Sequence, residues 1–183
     1  MCNRKIAVVA VVLMLAFLHW CPDLDASELG NGRLVVVPLN EGLDLFPGKW
    51  KITKEGTHGA FSLVEVNDNK TREIQPHRHT REDEAWYVIE GELSFEVGEE
   101  KATAGPGTFI YAPREVPHSF KVTKIPARYL ILFSPAGIEL LFAEVAELRK
   151  KLGEGTPEFE QQRNEVRAKY GLYSGTTKES KSP

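Results

Sequence analysis

At 183 residues, 42% of them hydrophobic, the chain has the size of one domain with a real core. Its 23 lysines and arginines nearly balance 26 acids, for a net charge of −3, and form no basic stripe, which argues against a nucleic-acid surface. Both cysteines, Cys2 and Cys21, fall in the opening stretch, so a mature chain without it has no disulfide, no thiolate chemistry and no cysteine-ligated zinc.

Residues 1–26 read as an export signal: Arg4 and Lys5 form a positive start, Ile6 to Leu18 is apolar, and Ala26 supplies a small residue before a cut. The apolar run is shorter than the roughly 20 residues that span a bilayer, so a retained membrane anchor is the alternative and no stable span is expected after cleavage. The mature protein is then expected outside the cytoplasm, secreted or periplasmic. A short N-terminal arm, 27–40, carries a β-branched strand over Arg33 to Val37, and Asn40 to Gly48 is loop.

From residue 41 the chain is a series of short strands broken by glycine and proline. Strands are expected at Lys49 to Thr53 and Ala60 to Val66, with a turn holding His58 between them. Ala85 to Ile89 and Glu92 to Val97 read as a hairpin closed by Glu90-Gly91. Short strands follow at Lys101 to Ala104, Thr108 to Tyr111, His118 to Val122 and Arg128 to Phe133. About ten short strands with no helical pattern among them predict an all-β antiparallel sandwich or single barrel over 41–136. The tail, 137–172, is helical. Ile138, Leu141, Phe142, Val145 and Leu148 share one helical face, and Thr156-Pro157 caps a second helix whose apolar side is Phe159, Val166 and Tyr170. Both helices are expected to pack on the outside of the barrel, with 173–183 disordered.

The chemistry gathers between Pro76 and Gly91. His77 and His79 are two apart, so on a strand both imidazoles face the same way and one ion can touch both. Glu84 follows after a charged turn, and His118 opens a later strand, which makes three nitrogens and one carboxylate. Any one of these histidines alone reads more simply as a surface or hydrogen-bonded side chain; the set of four reads as a metal site. Nitrogen and oxygen ligation of this kind suits one divalent transition metal, whether iron, manganese, cobalt, nickel, copper or zinc. Trp86 and Phe120 stand two residues beyond a ligand on the inward face, where they serve as barrel core or line an aromatic-substrate pocket. Arg78, between two inward histidines, is expected to point outward, solvated or at a subunit contact. Arg81 to Asp83 reads as a turn, one of whose acids orients a ligand histidine.

His77, His79, Glu84 and Gly91 fall at the spacing of the first cupin motif, with Thr71 at its first glycine; Gly107, Pro113 and His118 match the second, where Glu115 and Val122 replace a glycine and an asparagine. The chain thus resembles the cupin superfamily. From about Gly42 to Gly171 it is similar to small single-domain cupins related to bacterial quercetin 2,3-dioxygenase, through phrases such as Ala104-Gly105-Pro106-Gly107-Thr108 and Ser134-Pro135-Ala136-Gly137. The resemblance implies a double-stranded β-helix, or jelly-roll, barrel and pairing into a homodimer. It also implies a dioxygenase acting on a flavonol or related phenol, with Glu84 as both ligand and base. One cupin scaffold serves many reactions, so a binding protein without catalysis and a different metal enzyme, such as a sugar isomerase, stand as alternatives.

Overall fold

The computed structural model describes residues 34–175. The expected leader, its cut after Ala26, and the far end of the tail lie outside the described residues. Nine antiparallel strands form one curled sheet. They are β1 (Leu43–Leu45), β2 (Gly48–Ile52), β3 (Ser62–Asp68), β4 (Glu73–His79), β5 (Asp83–Val97), β6 (Glu100–Ala104), β7 (Phe109–Ala112), β8 (His118–Ser134) and β9 (Leu172–Ser174). The path runs β1-β2-β3-β8-β4-β9, and β5 pairs with β6, β7 and β8. Because β8 pairs with β5 along both its halves, with β3 near its end and with β4 near its start, the sheet curls into a half-barrel of jelly-roll kind.

Alternation along the strands fills the interior. Trp86, Val88, Leu93, Phe95, Phe120, Val122, Tyr129 and Ile131 are buried in one continuous core, each such side chain contributing on the order of 1.5–3 kcal/mol. Trp50 stacks near Phe133, and its indole N–H donates to the Leu45 carbonyl at 3.0 Å.

Five expectations need correction. Residues 34–38 form no strand, and a strand, β1, appears instead within the expected loop. Glu90-Gly91 is no hairpin turn: β5 runs through it for 15 residues, pairing with β8 rather than folding back. The register slips around Glu90 and Glu92, and such bulges bend a strand from one face of a barrel to the next. Gly91 is required there, with φ +80° and no room for a side chain; an added Cβ would meet the carbonyl oxygens of Lys124 and Pro126 at 2.6 Å. Likewise His118–Ser134 is one strand of 17 residues, not two. Order also extends past 172, because β9 pairs with β4, placing Tyr173 opposite Arg78.

Between β2 and β3 a single helical turn, α1 (Lys54–Thr57), ends at His58 in the left-handed conformation; His58 is exposed, as its loop reading implies. Helix α2 (Ile138–Leu152) buries Ile138 and Leu141, and Phe142 packs on Phe46 and Trp50. Buried Glu139 fixes its start, accepting from the backbone N–H groups of Lys54 and Gly137. Helix α3 (Pro157–Lys169) begins as its sequence predicts, with the Thr156 hydroxyl accepting from the Phe159 N–H at 3.2 Å, and it buries Phe159 and Val166. The helices do more than cover the barrel, since α2 and α3 form one wall of a cavity whose other wall is the barrel itself. No helix among the described residues is long and apolar enough to cross a membrane.

Candidate metal centre

The site is assembled where three strands begin or end together. His77 and His79 lie at the end of β4, Glu84 at the start of β5 and His118 at the start of β8. His77 stands directly opposite His118 in the β4–β8 ladder, which brings the two side chains to one spot on the inner face. All four residues are buried, and one ligand-type atom from each lies within 4.8 Å of the others. Four atoms each about 2.1 Å from a common ion span at most about 4.2 Å, so closing on an ion asks for a contraction of about half an ångström.

The outer nitrogens of the rings determine what points inward. His77 Nδ1 donates to the Gln75 carbonyl at 2.9 Å and His118 Nδ1 to the Val116 carbonyl at 3.0 Å, partners that assign a proton to Nδ1; a neutral ring then keeps Nε2 as a lone pair, whereas a charged ring donates from it as well. His79 Nδ1 faces a carboxylate oxygen of Glu82 at 3.5 Å, an ion-pair contact just outside hydrogen-bond geometry. Glu82 is thus the acid of the charged turn that addresses a ligand, and it is buried. On the inner side, Glu84 Oε2 lies 3.0 Å from His118 Nε2, 3.2 Å from His79 Nε2 and 3.9 Å from His77 Nε2.

The electrostatics follow from that crowding. Burial pushes the His77 imidazole down to about 4, with Glu84 opposing and the neighbouring histidines adding to the shift. Burial acts against a charge on His79 too, but Glu82 and Glu84 outweigh it and lift the ring to about 9. Glu84 is held well below the usual carboxylate range: burial opposes ionisation, and the hydrogen bonds and charges of His118 and His79 prevail. A single proton satisfies one nitrogen–oxygen pair. Satisfying three inward nitrogens and a carboxylate at once takes a multivalent cation, and the donor set fits one.

Around the cluster the structure sorts the other expected residues. Phe120 lines a cavity of about 340 Å³ onto which His77, His79 and Glu84 also open. Trp86 is not among the residues lining it; it packs in the core against Phe95, Phe120 and His118. Arg78 is not solvated. It is buried, paired with Glu115 and stacked 5.1 Å from the Tyr173 ring centre, because the returning β9 covers it. Glu115, in place of the motif's second glycine, adopts the glycine-like φ of +65°, held by its N–H on the His79 carbonyl at 2.7 Å as well as by Arg78. Asp83 turns away from the site to Arg114, whose hydrogen bonds bring its carboxyl down to about 2.

A family model of the cupin domain matches residues 63–133, the span that carries all four residues of the cluster. The chain belongs to the cupin superfamily. It is 22% identical over 156 residues to the quercetin 2,3-dioxygenase of Bacillus subtilis, covering 79% of this chain but 46% of that protein, so the chain spans about half the length of that relative. An uncharacterised protein of Streptomyces coelicolor is 30% identical over 76 residues, 42% of this chain and 70% of that one. Among solved structures, KdgF from Halomonas sp. aligns with a TM-score of 0.42 at 27% identity, covering 45% of this chain and 74% of that chain.

Proposed function

We propose that His77, His79, Glu84 and His118 hold one divalent transition metal and that the protein is a dioxygenase opening a flavonol or related phenol, as in quercetin 2,3-dioxygenase. The observation that carries this reading is the convergence of four buried acceptor atoms beside a largely apolar cavity of small-molecule size. The likeness to the Bacillus dioxygenase supports the choice of reaction. A redox-capable ion supplies Lewis acidity and an electron route between an ionised phenol and dioxygen.

The chain's own residues then have distinct tasks. Phe120, Phe133, Ile131 and Leu141 hold an aromatic ring and exclude water. Glu84, kept ionised by His118 and His79, accepts the proton of the substrate hydroxyl. Glu82 orients His79 from behind. For a flavonol, the two ring carbon–carbon bonds at the 3-hydroxyl carbon break, both atoms of dioxygen enter the opened product, and that carbon leaves with its own oxygen as carbon monoxide. Quercetin-dependent oxygen uptake is expected, and Glu84→Gln should abolish it while removing less of the metal than a histidine substitution does. Full uptake in Glu84→Gln would assign the base elsewhere.

We read residues 1–26 as a cleaved leader on their charge and apolar pattern, which places the mature protein outside the cytoplasm. Sequencing of the exported protein should then begin at Ser27; a retained Met1 would contradict it.

A further inference from the structure

Four arginines line the same cavity as the metal cluster: Arg72, Arg149, Arg163 and Arg167. Three have acidic partners. Arg72 is paired with Asp68 at 2.7 Å, Arg149 with Glu154 at 3.2 Å and Arg163 with Glu160. Arg167 has no carboxylate within ion-pair distance among the described residues, although it is half-buried. Arg163 lies one turn before it on the same face of α3, and such like-charge pairs disfavour a helix. The Nε of Arg163 is buried with no hydrogen-bond partner. Of the cavity's two acids, Glu84 belongs to the metal cluster and Glu73 is paired with Lys121 at 3.3 Å, so neither neutralises this end.

A simpler role for Arg167 is to complement the negative C-terminal end of α3, where it occupies the last turn. Lys169 also occupies that turn, exposed and paired with Glu144 at 2.7 Å. Complementing the helix end does not require half-burying Arg167 beside Arg163, and that placement costs stability. Consistent with this, burial first and the Arg163 charge second shift the Arg167 guanidinium below its ordinary value, with the Glu160 charge opposing them. The cost is recovered when an anion enters, because a guanidinium and a carboxylate form paired, charge-assisted hydrogen bonds.

We infer that the cavity takes a small molecule with an apolar, ring-bearing body and a carboxylate, the carboxylate resting on Arg167 and Arg163 and the body on the aromatic walls beside the metal cluster. The inference rests on the cavity being the substrate site, and within the proposed range of flavonols and related phenols it favours phenols that carry a carboxylate over quercetin itself. The geometry gives α3 a function beyond covering the barrel, since it carries the residues that select the charge.

The test is calorimetric binding of caffeate and of its uncharged methyl ester to the full protein as purified. Caffeate is expected to bind about tenfold or more tightly than the ester. Arg167→Gln and Arg163→Gln should each remove most of that preference, and Arg167→Lys should retain part of it. Thermal melting of each variant checks that the helix is still docked. Equal affinity for acid and ester, binding of neither, or an acid preference unchanged in both glutamine variants would overturn the inference. Oxygen uptake with quercetin and with caffeate on the same preparation reports on the dioxygenase reading by itself. Acid-selective binding that depends on Arg167, with no uptake, would sink that reading and leave the carboxylate site standing.

Discussion

Two of the places where the molecule buries charge are treated differently. On the β3 side, Asp68 accepts from the Tyr129 hydroxyl at 2.9 Å and pairs with Arg72, while Glu65 pairs with Lys51 at 2.7 Å and, more distantly, with Arg128. Each acid there meets a cation of the protein itself. At the ends of β4, β5 and β8, by contrast, Nε2 of three histidines and an oxygen of Glu84 face one another, with the ring protons of His77 and His118 spent outward on carbonyls. A proton on His79 satisfies Glu84, and the inward nitrogens left over are buried acceptors, which are expensive unless something positive lies among them. The difference separates a structural polar network from a cluster whose donor set fits an ion.

That contrast can be broken at either end. The largest effect is expected at the histidines: replacing His77, His79 or His118 with Ala removes one of four inward ligands, and bound metal should fall at least about tenfold by elemental analysis. The fold should survive, since the core strands do not depend on the cluster; a full metal complement in all three variants would dissolve the contrast. A smaller and opposite signature is expected at Tyr129. Tyr129→Phe leaves Asp68 Oδ2 without its donor, which should cost about 1–3 kcal/mol in denaturant unfolding while metal content is unchanged. Lost metal in that variant would show that the two networks are coupled.

The residues of the cluster were legible in the sequence because period-two alternation and ligand chemistry act locally: His77 and His79 need only a strand to share a face. What depended on distant partners was not. Gly91 resembles a hairpin turn in sequence, and only its close approach to the carbonyls of Lys124 and Pro126 shows it as a bend in a continuous strand. Arg78 reads as solvated because Glu115 and Tyr173, which bury it, lie far along the chain. That Glu82 rather than a neighbouring acid faces His79 is set by the turn's backbone path. On α3 the apolar stripe marked the packed face, but Arg163 and Arg167 on that face gained meaning only once the cavity placed them beside the metal cluster.

The central claim is that the buried cluster is completed by an ion, and elemental analysis of the mature protein isolated from its native compartment tests it most directly. The account predicts about one equivalent of a transition metal per chain, released by a chelator and restored on readdition. A metal-free protein that takes up no divalent ion at neutral pH and is no more stable in its presence would contradict it.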